Sequence, residues 1–268
     1  MPVPVLELKG VNKRFGAVQA LTDVDFRVEA GEVVALVGDN GAGKSTLIKT
    51  VSGVGLADSG DFRFLGEPAS ISGPQDATAL GIATVYQDLA LADNLDVAAN
   101  LYLGRESYAS GPLRWLYLLD DISMEKRSVE LIESLRSRIP SVKTAVASLS
   151  GGQRQIVAIA RSLLGDPKLV ILDEPTAALG VAQTRQVLDL VHRLKDRGLA
   201  VIVISHNLHN VFVVADRIVV LFLGRNAGDF RRDETTREEI VGAITGGVGL
   251  PAGMGDGSDD DDAPQVSA

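Results

Sequence analysis

The sequence predicts an α/β fold, in which apolar strands alternate with amphipathic helices. Val33–Val37 is a continuous apolar run, as expected of a strand that is buried on both faces. A glycine-rich loop follows this run, and a helical pattern begins at about Lys44. The alternation recurs where the apolar strands Leu169–Leu172 and Leu199–Ile204 flank a helical pattern that Gly198 ends. The apolar face of that helix consists of Val187, Leu190, Val191 and Leu194.

The remaining strands and helices are predicted from shorter apolar patterns. Val24, Phe26 and Val28 alternate with polar residues, which is typical of a strand with one buried face. The remaining predicted strands are Val5–Val11, Val24–Val28, Asp61–Leu65, Gly81–Tyr86 and Ile218–Leu223. Short helices are predicted near Pro74–Leu80 and Arg237–Ile244.

Between about Asp88 and Leu164 the pattern becomes mostly helical. One helix face is predicted at Leu131, Ile132, Leu135 and Ile139. No internal repeat is present. These patterns predict one domain over residues 1–245, with a helical subdomain inserted at about 88–164, and a tail over residues 246–268.

Composition limits the possible functions of the 268-residue chain. Its net charge of −9 argues against a broad nucleic-acid-binding surface, and the absence of cysteine excludes disulfides and thiolate metal sites. The longest apolar runs hold six residues, so no membrane span is expected, and the N-terminus does not resemble a secretory signal. We therefore expect a soluble, cytoplasmic protein. Asp256 and Asp259–Asp262 lie in the Gly- and Asp-rich tail, which is expected to be disordered.

The glycine-rich loop matches the phosphate-binding pattern G-x-x-x-x-G-K-[ST] in the required strand–loop–helix context. Its residues are Gly38, Asp39, Asn40, Gly41, Ala42, Gly43, Lys44, Ser45 and Thr46. The glycines allow backbone N–H groups to converge on phosphate oxygens at a helix N-terminus. Lys44 is expected to reach the β- and γ-phosphates of ATP, and Ser45 is expected to ligate Mg²⁺.

Two acids, Asp173 and Glu174, end the apolar strand that begins at Leu169. Acids in this position often cap a following helix. Beside a phosphate loop, however, Asp173 is expected to hold Mg²⁺ and Glu174 to act as the general base toward water. Both motifs follow strands, and open α/β sheets bind ligands at the carboxyl ends of their strands.

A third motif opens a predicted helix that runs to Leu164. It reads Leu149-Ser150-Gly151-Gly152-Gln153. A capped helix start would explain Ser150 alone. Between a phosphate loop and an Asp-Glu strand, however, the string resembles the signature of ATP-binding cassette (ABC) ATPases. The resemblance spans about residues 5–245. It implies a P-loop NTPase core with a RecA-like sheet, a small antiparallel β-subdomain and the inserted helical subdomain.

The resemblance assigns further roles. Phe15 matches the aromatic residue that stacks on adenine, although a core aromatic residue is the alternative. Gln87 matches the glutamine that contacts Mg²⁺ and water, and His206 matches the histidine at the γ-phosphate. His192 and His209 have no counterpart and are interpreted as structural.

One string departs from the usual sequence pattern of the family, and others narrow the resemblance to one branch of it. After Glu174-Pro175-Thr176 the family usually reads Ser-Ala-Leu-Asp, whereas this chain reads Ala177-Ala178-Leu179-Gly180. The missing aspartate normally helps to couple two nucleotide sites, so Gly180 is expected to loosen that coupling. The strings resembling monosaccharide importers are Ala177–Gly180, Val85–Leu91, Asn100–Glu106 and Ser205–Leu208.

The resemblance also implies a mechanism and partners. ATP is expected to lie between the phosphate loop of one subunit and Ser150, Gly151, Gly152 and Gln153 of a second copy. The implied partners are that copy, two membrane permease subunits at the cytoplasmic face, and, indirectly, an extracytoplasmic sugar-binding protein. Sugar specificity would reside in the permease and the binding protein. The alternative function is a soluble ABC ATPase in translation, DNA repair or iron–sulfur assembly.

An apolar cluster in the insertion has two interpretations, subdomain core or contact with a permease. Its members are Leu113, Trp115, Leu116, Leu118 and Leu119.

Overall fold

A computed structural model describes residues 3–108, 118–137 and 139–246. The strands in these ranges are β1 Leu6–Phe15, β2 Val18–Val28, β3 Val33–Val37, β4 Ser59–Phe64, β5 Glu67–Pro68, β6 Ile82–Val85, β7 Leu169–Asp173, β8 Ala200–Ile204, β9 Arg217–Phe222 and β10 Arg225–Arg231. The helices are α1 Lys44–Val51, α2 Pro74–Leu80, α3 Val97–Tyr102, α4 Asp121–Ser134, α5 Gly151–Leu163, α6 Val181–Asp196, α7 Leu208–Val214 and α8 Arg237–Ile244. The α/β prediction is confirmed.

The larger sheet has the strand order β10-β9-β3-β8-β7-β6. Strands β9, β3, β8, β7 and β6 pair in parallel, and β10 pairs with β9 antiparallel. All residues of β3 and β8 are buried. The apolar runs in the sequence therefore correspond to central strands that are covered on both faces.

A smaller antiparallel sheet has the order β2-β1-β4-β5. The predicted strands Val5–Val11 and Val24–Val28 correspond to the buried ends of the longer β1 and β2. Their tips meet at the turn between Phe15 and Val18, where the residues are exposed and no apolar alternation marks a strand. Strand β10 escaped prediction for the same reason, since most of its residues are exposed or half-buried.

The segment around residues 88–164 holds α3, α4 and α5 among its described residues. The predicted helix face from Leu131 to Ile139 is wrong at its end, since α4 stops at Ser134. Arg136 adopts a left-handed conformation with φ of 48°, which breaks the helix. Leu131 and Ile139 still pack against the core that includes Ile132 and Leu135.

A buried side-chain amide stabilises the loop at the start of this segment. Asn100 is completely buried in α3, and its Oδ1 accepts a hydrogen bond of 2.7 Å from the Ala92 N–H. Its Nδ2 donates to the carbonyl groups of Ala92 and Asp96 at 2.9 Å. The side chain thus satisfies backbone groups of the loop that leads into α3.

We expect Asn100→Ala to lower the free energy of unfolding by about 2 kcal/mol, because it removes a buried side chain and leaves the half-buried Ala92 N–H without its acceptor. Chemical denaturation with a linear extrapolation would measure the change. An unchanged free energy of unfolding would contradict this role.

Some of the other predicted features lie within the described residues and others lie outside them. Helices α2 and α8 have the predicted bounds. Leu113, Trp115, Leu116 and the acidic tail residues from 247 onward lie outside the described residues. Leu118 and Leu119 are described, and each is about half exposed. Within the described part of the chain, no helix is both long and apolar enough to cross a membrane.

Candidate functional site

The parallel sheet brings the predicted groups to one edge. Strands β3, β8, β7 and β6 are neighbours in that order, so their carboxyl ends lie side by side. The phosphate-loop motif follows β3, His206 follows β8, the two acids end β7 and Gln87 follows β6. The topology therefore assembles residues that are far apart in the chain.

Backbone geometry shapes the loop between β3 and α1. Gly38 and Gly43 have φ values of 153° and 102°. A Cβ atom at Gly38 would lie 2.3 Å from the Leu221 carbonyl oxygen, and one at Gly43 would lie 2.8 Å from the Ala20 carbonyl oxygen. These glycines allow the loop to lie directly against β9 and β2. A Cβ atom at Gly41 would meet nothing within 4 Å, so this part of the loop borders open space.

Lys44 curls over this loop. Its Nζ donates hydrogen bonds to the Gly38 carbonyl at 2.8 Å and to the Asp39 carbonyl at 2.9 Å. Burial lowers the pKa of Lys44, and the charges of Glu174, Asp39 and Asp173 partly oppose that shift. The ammonium group thus lies within the field of the two acids at the end of β7.

Elsewhere in the loop, the Ala42 carbonyl accepts a 3.1 Å hydrogen bond from the Gly224 N–H. The Asn40 N–H donates to Asp39 Oδ1 at 2.7 Å. Ser45 is exposed and Thr46 half-buried in the first turn of α1.

Asp173 is half-buried at the end of β7. Burial raises the pKa of its carboxyl group, the adjacent charge of Glu174 raises it further, and Lys44 lowers it. A cation beside Asp173 would relieve both unfavourable effects. Among the described residues, no group of three or more His, Cys, Asp or Glu side chains forms a preformed metal cage.

Glu174 and His206 are in direct contact. Glu174 Oε1 accepts a 3.0 Å hydrogen bond from the His206 N–H and lies 2.8 Å from His206 Nδ1. Glu174 itself has a φ of 49°, and its N–H donates to the Ile204 carbonyl at 2.9 Å. The side chain of Glu174 is 15% exposed and that of His206 is 75% exposed. The two residues form a unit that faces solvent through the histidine.

The helix-cap interpretation of the two acids is wrong. The next helix, α6, begins at Val181 and has Gly180 at its N-cap. Asp173 and Glu174 therefore occupy the sheet edge for another reason.

Phe15 and Gln87 are both accessible. Phe15 is 54% exposed at the end of β1, and Lys13 Nζ lies 5.4 Å from the centre of its ring. The core-aromatic interpretation of Phe15 is therefore wrong. Gln87 is exposed two residues after the end of β6.

Ser150 and Gln153 form a reciprocal capping box at the start of α5. The Gln153 N–H donates to Ser150 Oγ at 3.3 Å, and the Ser150 N–H donates to Gln153 Oε1 at 2.9 Å. Gly151 and Gly152 face the turn before α6 and its first residues. The predicted cap is confirmed, and the helix N-terminus that it fixes is exposed at Ser150.

The remaining histidines lie elsewhere. His209 Nδ1 is 3.0 Å from a guanidinium nitrogen of Arg237. His192 lines a cavity of about 390 Å³ with Glu32 and Asp216, which lie at the opposite end of the sheet from the phosphate loop.

One polar contact at the site could not be predicted from the sequence. Asn210 Nδ2 in α7 donates a 3.0 Å hydrogen bond to Thr176 Oγ1 in the turn after Glu174. This bond ties the helix after His206 to that turn. The sequence gives only a weak signal for this contact. Asn210 lies four residues after His206, but no sequence pattern identifies Thr176 as its acceptor.

A groove of about 330 Å³ lies next to Gln87. Tyr86, Leu89, Arg105 and Arg161 contribute to its lining, between the end of β6 and the inserted helices. Arg161 donates to the Leu89 and Ala90 carbonyl groups at 2.7 Å. The groove thus combines apolar surface with two arginines.

Comparisons with known proteins agree with this geometry. Residues 21–177 match the family model described as ABC transporter. The chain is 46% identical over 241 residues to the xylose/arabinose import ATP-binding protein XylG of Sulfolobus acidocaldarius, covering 90% of this chain and 94% of that protein. It is 44% identical over 245 residues to the fructose import ATP-binding protein FrcA of Rhizobium meliloti, covering 91% and 94%.

A solved structure extends the likeness to the fold. The crystal structure of the ADP conformation of an ATP-binding cassette of an ABC transporter superposes with a TM-score of 0.76 at 29% identity. The match covers 90% of this chain and 95% of that chain.

Proposed function

Because this chain belongs to the ABC transporter family of ATP-binding proteins, we propose that it is the ATPase subunit of an importer for a monosaccharide. The observation that carries the proposal is the convergence of the phosphate loop, Asp173, Glu174 and His206 at one sheet edge. Relatives that are named for xylose/arabinose import and fructose import support the substrate class.

ATP is proposed to bind along the phosphate loop. The backbone N–H groups from Gly38 to Thr46 would bind phosphate oxygens, aided by the N-terminal dipole of α1. Lys44 would exchange its two carbonyl partners for the β- and γ-phosphates. The exposed ring of Phe15 offers its face to adenine.

The donor set fits Mg²⁺. The Ser45 hydroxyl, the Gln87 amide oxygen and the Asp173 carboxylate are hard oxygen ligands, and Mg²⁺ is usually held by one or two carboxylates plus substrate phosphates. When bound, the ion would neutralise charge on the phosphates.

Glu174 is proposed to be the general base. It would take a proton from water as the water oxygen bonds to the γ-phosphorus and the bond to the β–γ bridging oxygen breaks, which gives ADP and phosphate. His206 holds Oε1 at 2.8 Å and so orients the carboxylate, leaving Oε2 to accept that proton. Its exposed ring would also contact the γ-phosphate.

Ser150 and Gly151, which are exposed at the start of the signature, support an ATP-dependent dimer. Ser150, Gly151, Gly152 and Gln153 at the N-terminus of α5 would contact the γ-phosphate of ATP bound to a second copy. Hydrolysis would remove charge that both subunits share, so the dimer would open.

The inserted segment is proposed to carry this motion to two permease subunits. The groove beside Gln87, with its apolar lining and two arginines, supports a protein contact at this face. The chain would then lie at the cytoplasmic face of the membrane, and an extracytoplasmic sugar-binding protein would act through the permease. In this organisation, residues 1–245 would form the ATPase domain, with its helical insertion at about 88–164.

The alternative function, a soluble ABC ATPase in translation, DNA repair or iron–sulfur assembly, gains no support from these relatives. XylG of Sulfolobus acidocaldarius and FrcA of Rhizobium meliloti are both named as import proteins, and each matches this chain over nearly its full length.

Uptake in cells tests the proposal. A strain that lacks this chain is expected to lose ATP-dependent uptake of at least one radiolabelled sugar among xylose, arabinose, fructose and ribose. The wild-type chain should restore uptake, whereas a Lys44→Ala chain expressed at the same level should not. Unchanged uptake of every tested sugar in the deletion strain would contradict monosaccharide import.

A further inference from the structure

The start of α6 lies directly against the signature glycines. A Cβ atom at Gly152 would lie 2.9 Å from Gln183 Cβ and 3.1 Å from its Cγ. A Cβ atom at Gly151 would lie 3.1 Å from Leu179 Cδ2. The two glycines therefore permit an approach that larger residues would obstruct. We call residues Leu179–Gln183 the signature platform.

Gln183 fixes the shape of this platform. Gly180 is the N-cap of α6 and has no side chain to accept hydrogen bonds from the first turn. Gln183 Oε1 accepts a 3.1 Å hydrogen bond from the Gly180 N–H, which satisfies one backbone donor at the start of the helix. The amide of Gln183 thus caps the start of α6, while its Cβ and Cγ atoms lie against Gly152.

The platform is joined to the general base by a tight turn. The Ala177 N–H donates to the Glu174 carbonyl at 3.0 Å, and the Leu179 N–H donates to the Thr176 carbonyl at 3.4 Å. Asn210 holds Thr176 from the side of α7. A short path of hydrogen-bonded backbone therefore links Glu174 to the surface beneath the signature.

We propose that Gln183 is a positioning residue for the signature. It fixes the position of Gly151 and Gly152 relative to the turn after Glu174. The surface that the signature presents to a second copy therefore depends on the hydrolytic site of the same chain. The inference rests on the proposed function, since it requires that the signature bind ATP held by the second copy.

ATP-driven dimerisation of the full chain tests this role. In a Glu174→Gln parent, which should retain ATP, sedimentation velocity would measure the dimer dissociation constant at saturating Mg-ATP. Adding Gln183→Ala should raise that constant about 10-fold, because the Cγ contact and the amide acceptor are both lost. Adding Gln183→Glu should keep the constant within about 2-fold of the parent value, because the stem and an acceptor oxygen remain and an acid is favourable in a first helical turn.

Two controls separate positioning from general damage. Gln186→Ala removes an exposed glutamine from the same helix and should leave dimerisation at the parent value. The affinity of each single subunit for a fluorescent ATP analogue should stay unchanged, since the contacts of Gln183 are with Gly180 and Gly152 rather than with the phosphate loop.

The outcomes are distinct. Parent-like dimerisation of the Gln183→Ala variant would overturn the positioning role, as would a Gln183→Glu variant that is as weak as Gln183→Ala. A weakened Gln186→Ala variant would also overturn it, by showing that any change on α6 has this effect. A parent that stays monomeric with Mg-ATP would contradict the proposed function itself, and the inference with it.

Discussion

Glu174→Gln is expected to lower the maximal ATP turnover by at least about 100-fold, because general-base catalysis contributes about 10²- to 10⁴-fold. The substitution keeps the size of the side chain and an oxygen that can accept the hydrogen bond from the His206 N–H. It removes the carboxylate that is proposed to take the proton from water. ATP binding should therefore persist while hydrolysis stops.

Phosphate release under saturating Mg-ATP measures this effect. Glu130→Gln is a matched control, since it makes the same chemical change on the exposed surface of α4. The control should retain wild-type turnover. Wild-type turnover in the Glu174→Gln variant would show that another group acts as the base.

Lys44→Ala should weaken ATP binding about 10- to 100-fold, as expected when hydrogen bonds between a charged donor and phosphate are lost, at about 1.5–3 kcal/mol. Turnover should also be lost, since Lys44 is proposed to contact the phosphate that is transferred. Although burial lowers the pKa of Lys44, ATP would add negative charge beside the ammonium group and favour its protonated form.

Equilibrium binding of a fluorescent ATP analogue would measure the affinity. Lys126→Ala removes a highly exposed lysine from α4 and should leave the affinity unchanged. Equal affinities for the wild-type chain and the Lys44→Ala variant would contradict binding at this loop.

Much of the fold was predictable because strands that are buried on both faces have apolar sequences. Val33–Val37 and the strand ending at Ile204 are apolar throughout and lie in the middle of the sheet. The tips of β1 and β2 were not predictable, since their residues are exposed and pair through backbone hydrogen bonds that do not depend on side-chain polarity. The end of α4 at Ser134 was missed because Arg136 adopts a left-handed conformation without being glycine.

The sequence was sufficient to predict which strand ends carry the candidate site. Parallel strands align their carboxyl ends, so motifs after β3, β6, β7 and β8 had to meet at one edge. The contact between Glu174 and His206 and that between Gln183 and Gly152 required the structure. The first involves a backbone φ of 49° at Glu174, and the second depends on which residue of α6 lies against Gly152, and no sequence periodicity reveals either.

ATP hydrolysis with the permease partner tests the central claim most directly. The purified full chain would be reconstituted in lipid vesicles with its permease subunits, and phosphate release would be compared with that of the chain alone and of the chain with RNA or DNA. We expect hydrolysis that the permease stimulates, that nucleic acid does not stimulate and that Glu174→Gln lowers at least about 100-fold. Stimulation by nucleic acid without the permease, or no hydrolysis in its presence, would contradict an ATPase that drives import.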